Sequence, residues 1–103
     1  MYNLNNIFPR PSGGAAQKLT VDSTTGGVQI TALTATKNDL VMFDVQTTDV
    51  FATVDGTAPT VTNGHRLYAA TTYTWSVGMM NAAKFISSTT STSAVIYLSP
   101  LGV

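Results

Sequence analysis

An all-β fold, an antiparallel β-sandwich or jelly-roll-like barrel carrying an extended N-terminal arm, is what this chain predicts, and three observations predict it. From Gln17 onward the apolar residues alternate with polar ones in short runs, the period-2 signature of half-buried strands. The runs are rich in Thr, Val, Tyr and Phe and are separated by Gly, Asn, Asp and Pro at the ~8–12-residue spacing of sandwiches and barrels. Helical spacing occurs only in "GMMNAAKF", which allows a single turn, so parallel sheets with crossover helices are excluded.

The elements follow in order. Residues 1–16 form the arm: Asn-rich at first, then "IFPRPSGG", where Pro9 and Pro11 fix the backbone and Gly13-Gly14 loosens it. The arm belongs outside the core, yet Tyr2, Leu4, Ile7 and Phe8 are more apolar than a solvated tail, so Tyr2, Leu4, Ile7, Phe8, Pro9, Arg10 and Pro11 are the expected interface with a partner. Residues 17–103 form one β domain. "QKLTV" opens it, "VQITA" alternates Val28, Ile30 and Ala32, and "LVMFDVQ" sets Val41, Phe43 and Val45 on one face. "VFATV", "RLYA", "YTWSV", "KFISS" and "SAVIYLS" complete seven or eight strands, the last alternating Ala94, Ile96 and Leu98 against Val95 and Tyr97. "SSTTSTS" reads as an exposed hairpin connection whose hydroxyls satisfy local backbone groups.

A chain of 103 residues holds one domain with a modest core. Charged residues make up 10% of it, against the ~25% usual for soluble domains, while Ser and Thr supply roughly a quarter. The surface is therefore hydroxyl-rich and nearly neutral. With zero formal net charge and only Asp22, Asp39, Asp44, Asp49 and Asp55 as acids, no field steers nucleic acid or a charged membrane surface to it. A neutral surface also favours self-contact. The absence of cysteine removes disulfides, thiolate zinc sites and thiol nucleophiles together. The N-terminus lacks a basic region followed by an apolar one, and no apolar run approaches the ~18 residues of a membrane span, so the expectation is folding in the cytoplasm where the chain is made.

"FATVDGTAPTVTNGHRLYAA" is the stretch that invites a chemical reading, since it holds an aspartate and the single histidine. Asp55-Gly56 is turn chemistry, Pro59 opposes pairing in a central strand, and Asn63-Gly64 marks a second turn before the strand pattern resumes. Asp55, Thr57 and His65 could meet in a folded loop as an acid, a hydroxyl and a base, but sequence order does not place them together. His65 reads as a turn residue bonded to backbone. No catalytic, metal-binding or cofactor-binding residue is assigned: one His without Cys or Glu falls short of zinc, and the Asp spacing does not fit a calcium loop. Tyr68, Tyr73, Trp75 and Tyr97 could stack on sugars, whereas the alternation of "YTWSV" puts Trp75 in the core.

The segment from Phe51 to Ser99 resembles small tailed-phage virion proteins in its layout: a strand, D-G-T-x-P-T, a linker, N-G-H, an apolar strand, K-F-I and a closing Ala-Val-Ile strand. D-G-T-x-P-T alone is also similar to C-terminal β-sandwich domains of chitobiases and other sugar-active enzymes; the longer layout, the initial Met and the chain length favour the phage family. The resemblance implies a non-enzymatic subunit of the virion. The expectation is a decoration, or cement, protein on the capsid surface, bound to the major capsid protein and acting as a homotrimer. A carbohydrate-binding β-sandwich module and a head-to-tail or tail accessory protein are the alternatives.

Overall fold

The computed structural model describes residues 10–11, 16–33 and 40–102. Two antiparallel sheets pack face to face in an all-β sandwich with one short helix at the end. The strands are β1 (Arg10–Pro11), β2 (Gln17–Val21), β3 (Leu40–Gln46), β4 (Val50–Thr53), β5 (His65–Leu67), β6 (Thr71–Ser76), β7 (Lys84–Ser87) and β8 (Ala94–Gly102), and the helix α1 is Val77–Ala82. The larger sheet runs β1-β8-β3-β6, with β2 also on β8, and the smaller runs β5-β4-β7.

β8 organises the larger sheet. One side of it pairs with β3 from Val95↔Gln46 to Leu101↔Leu40, and the other with β2 from Ala94↔Val21 to Leu98↔Gln17. β1 takes the end of that second side, with Pro11 opposite Leu101 and Arg10 opposite Gly102. The alternation in the sequence sets the faces. Val41, Phe43 and Val45 of β3 and Ala94, Ile96 and Leu98 of β8 point inward and are buried, while Met42 and Tyr97 point outward and are 42% and 46% exposed. Val50, Ala52, Leu67 and Phe85 supply the opposing face from the smaller sheet. Aromatic rings bridge the layers: Trp75 meets Phe43 edge-on at 4.8 Å and stacks on Phe85 at 6.1 Å, and Tyr73 stacks on Phe43 at 5.5 Å. Trp75 is therefore a core ring, but a half-buried one, because β6 is an edge strand.

β6 ends at Ser76, whose hydroxyl accepts the Met79 N–H at 3.2 Å and caps α1. The helix stops at Ala83, which returns to extended backbone, and Val77 and Met80 turn its buried face onto the core.

Two expectations give way. Residues 28–32 are no strand. Only Val28 pairs, exchanging both backbone hydrogen bonds with Phe85 at 2.7 and 2.9 Å, and the chain then leaves β7 although Ile30 stays buried. Farther on, the Asn81 side chain holds both the N–H and the C=O of Leu33, at 2.8 and 3.2 Å, replacing a strand partner. Residues 88–93 join β7 to β8 and so cross between the sheets instead of closing a hairpin. Their hydroxyls do bond local backbone: Ser87 and Thr89 both donate to the Thr92 carbonyl, at 2.6 and 3.3 Å.

Of the four crossings between the sheets after β3, the three other than the one through α1 meet at Asp49. The β3–β4 corner carries Thr47 at φ 78°, and the β5–β6 corner carries Ala70 at φ 62°. Left-handed backbone costs a non-glycine residue about 1–2 kcal/mol, so both corners need fixing from outside. Asp49 supplies it. Its Oδ1 accepts the Ala69 N–H at 2.7 Å, its backbone carbonyl accepts the Ser88 N–H at 2.9 Å, and its Oδ2 accepts Nε and Nη2 of Arg66 at 3.0 and 2.7 Å.

The Ala69 N–H, foremost, and then the Arg66 side chain hold the Asp49 carboxyl below its ordinary value. A depressed folded-state value means that the ionised form stabilises the fold above the unfolded value of 3.8 and that this contribution fades as pH falls through the lower folded value. Asp49→Asn keeps the acceptor and removes the charge. Urea unfolding should find it less stable than the native chain at pH 7, with the gap closing below pH 3.8. A gap that stays constant down to strong acid would contradict this role.

Candidate functional site

The 54–64 excursion leaves β4 at Val54 and returns into β5. Asp55 folds its first turn: Oδ1 accepts both the Thr57 N–H at 3.1 Å and the Thr57 hydroxyl at 2.7 Å, while Gly56 takes φ 89°. The Thr53 hydroxyl donates to the Thr57 carbonyl at 2.5 Å, and Lys84 Nζ donates to the Gly56 carbonyl at 3.2 Å. The second turn is closed by reciprocal backbone bonds between Thr60 and Asn63 at 2.9 and 3.2 Å. Gly64 follows at φ 150°, where a Cβ would stand 3.1 Å from the Ala52 carbonyl.

This loop does bring Asp55, Thr57 and His65 around one open cavity of about 270 Å³, with Ala52, Thr53, Val54, Asn63 and Gly64 completing its wall. Their hydrogen bonding describes a turn. The Thr57 hydroxyl already donates to Asp55, and the two Thr57 donors, hydroxyl first, hold the Asp55 carboxyl below its ordinary value, with the charge of His65 adding to them. A carboxylate held below its ordinary value, and already accepting both Thr57 donors, is a weaker base for activating a hydroxyl. His65 is the exposed first residue of β5, so the turn belongs to Asn63-Gly64 and not to the histidine. Among the described residues no group of three or more His, Cys, Asp or Glu is placed to hold a metal ion, and no helix is long and apolar enough to cross a membrane.

Pro59 is the loop's anchor. It is fully buried, and its ring lies against Gly27, where a Cβ would meet Cδ at 2.9 Å and Cγ at 3.0 Å. In the sequence Pro59 carries only a strand-breaking signal, because its partner Gly27 lies 32 positions earlier in the chain.

The aromatic residues separate. Tyr73 and Trp75 face the core, and the Tyr73 hydroxyl accepts the Tyr68 N–H at 2.9 Å. Tyr68, 57% exposed, and Phe51 flank Arg66, whose guanidinium carbon lies 5.5 and 5.6 Å from their ring centres. Asp49 locks that guanidinium from the side, so Phe51, Arg66 and Tyr68 form a fixed surface cluster. The alternation around Phe51 and Arg66 puts them on one face, but their pairing across β4 and β5 was not readable from it.

Of the expected interface residues, Tyr2, Leu4, Ile7, Phe8 and Pro9 lie outside the described residues. Arg10 and Pro11 are placed: they are β1, on the last residues of β8. Arg10 stands opposite Gly102 and Pro11 opposite Leu101, so the pairing ties the last residues of the arm to the domain.

Gly27→Ala and Gly56→Ala separate the anchor from the turn. Both glycines have positive φ, 85° and 89°, but a Cβ at Gly56 meets nothing within 4 Å. Gly56→Ala should lose about 1 kcal/mol of stability in urea unfolding and Gly27→Ala clearly more, because it must also displace Pro59. Equal losses would show that the Gly27–Pro59 contact does not hold the loop.

Comparison of the chain with protein-family models, with curated proteins and with solved structures finds no match, so its role has to be read from the chemistry of these surfaces.

Proposed function

We propose that this chain is a non-enzymatic structural subunit of a tailed-phage virion, a capsid decoration protein that binds and stabilises the shell of the major capsid protein. It is made in the host cytoplasm and ends on the capsid surface, with copies joined as a homotrimer. The observation that carries the reading is the apolar character of residues 1–9: Tyr2, Leu4, Ile7 and Phe8 stand in a stretch without a charged side chain that joins the domain through β1, more apolar than a solvated tail, and call for a partner to cover them. The resemblance of residues 51–99 to small phage virion proteins supports the particle. The near-neutral, hydroxyl-rich composition supports a subunit that works by contact. Symmetry-repeated sites on a shell would let modest single contacts add up to durable attachment. A glycan-binding reading has less behind it, since among the described residues the tyrosines more than 40% exposed are apart: Tyr97 lies on β8 of the larger sheet and Tyr68 follows β5 of the smaller.

Co-sedimentation with undecorated shells tests the reading. The full chain should bind, and its binding should survive raised salt, because Arg10 is the only charged side chain in residues 1–16 and apolar burial is not screened by ions. A chain starting at Arg10 keeps β1 and should lose most attachment. Undiminished binding by that chain, or release of the full one by salt, would overturn the reading.

A further inference from the structure

The four sheet edges among the described strands differ. In the smaller sheet β7 is partly covered by its bridge to Val28, and β5, three residues long, offers little to a docking strand. In the larger sheet one edge is β1 with β2, and the other is β6, six residues of "TTYTWS" without a charged side chain. Edges this long are usually protected by charge, proline or a covering segment.

β6 also shows what a covering strand would gain. The inward-facing residues of the neighbouring β3, Val41, Phe43 and Val45, are at most 1% exposed, whereas Tyr73 and Trp75 on β6 remain half-buried. On the outer face Thr72 and Thr74 are exposed beside Met42, which is opposite Thr74 in the ladder. A strand added to β6 would satisfy its outer backbone groups. Its alternate side chains would complete the burial of the two rings on one face and cover Met42 on the other.

The chain itself holds a segment of the matching kind. Residues 1–9, "MYNLNNIFP", are uncharged and carry Tyr2, Leu4, Ile7 and Phe8, so neither side desolvates a charge on pairing. Extended, nine residues span roughly 30 Å, more than the ~20 Å of a six-residue strand. Their own β6 is badly placed for them. β1 and β6 reach the same end of the sheet, at Leu101, Leu40 and Ser76, but β8 and β3 stand between them, a gap of about 14 Å. α1 begins directly after Ser76 at that end. A path within one molecule would spend about four residues on the crossing and then reverse around the helix, while a path to a second molecule leaves all nine free to pair.

We infer that residues 1–9 of one copy add as a strand to β6 of a second copy, so that copies are linked by exchanged arms. The contact joins unlike surfaces, arm to edge, and therefore closes into a ring of copies or grows into a chain. This rests on the proposed role of the arm as a partner-binding segment, and it needs no shell.

The absence of cysteine makes the test direct. Full-length Leu4→Cys and full-length Thr74→Cys are mixed and treated with a short bis-maleimide, which tolerates uncertainty in the pairing register, and the products are separated on a denaturing gel. Mixed covalent dimers should form well above the level of either variant alone. In parallel, sedimentation velocity should find the native chain associated and the arm variant Ile7→Asp shifted to monomer. Thr74→Pro, which removes a backbone N–H from β6, should do the same if it folds; Ile7→Asp tests the point even if it does not. Three results would each overturn the inference: no mixed dimer, a double variant Leu4→Cys/Thr74→Cys that links only within one chain, or an oligomeric state unchanged by Ile7→Asp. Because shells are absent, failure here leaves shell attachment to be judged separately. Arm exchange without binding to shells would instead sink the particle reading alone.

Discussion

Asp49 sits where the chain changes sheets, and the two-layer architecture depends on the bonds it makes there. The chain crosses from β3 to β4 through Thr47, from β5 to β6 through Ala70 and from β7 to β8 through Ser88. Two of those corners hold non-glycine residues in left-handed backbone. One carboxylate and one carbonyl of Asp49 satisfy the N–H groups of Ala69 and Ser88, while Thr48 and Ser88 hydroxyls meet at 3.2 Å beside them. Small domains have little core to spare for holding strained turns. Concentrating the fixing bonds on one residue lets hydroxyl-rich, otherwise pliable connections keep the sheets in register.

The same corner reaches the surface. Arg66, held by Asp49, is clamped between Phe51 and Tyr68, so the fold's structural node also fixes the most aromatic patch of the smaller sheet. At the far end of the larger sheet the determining element is β8. β2 and β1 pair along one side of it and β3 along the other, so β8 ties Arg10 and Pro11, the last described residues of the arm, to the domain. The functional reading draws on two features: β6 is a long edge strand without a further partner among the described residues, and residues 1–9 are apolar and uncharged.

Much of this was legible in the sequence where the signal is local. Val41, Phe43 and Val45, and likewise Ala94, Ile96 and Leu98, announced buried faces through alternation alone, and Asp55-Gly56 and Asn63-Gly64 announced their turns. The signal failed where partners are distant in the chain. Residues 28–32 alternate like a strand, yet after Gly26 and Gly27 at positive φ only Val28 bridges to β7. Pro59 looked only like a strand breaker because Gly27, which receives its ring, lies on another loop. Asp49 looked like one of five scattered acids because its partners, Arg66, Ala69 and Ser88, follow it by 17 to 39 positions. In the candidate site, sequence suggested that Asp55, Thr57 and His65 could meet. It could not foresee that Thr57 would give both its donors to Asp55 and turn a possible acid–hydroxyl–base set into a closed turn.

If Asp49 is the node that keeps the two sheets together, the amides it holds should open only when the whole molecule does. Native-state hydrogen exchange followed by NMR measures this residue by residue. The account predicts that the Ala69 and Ser88 amides, although they lie in connections, exchange with the same opening free energy as the amides of Phe43 and Val45 in β3. Exchange of Ala69 and Ser88 at the rates of exposed loop amides such as Thr90, with β3 still protected, would contradict it.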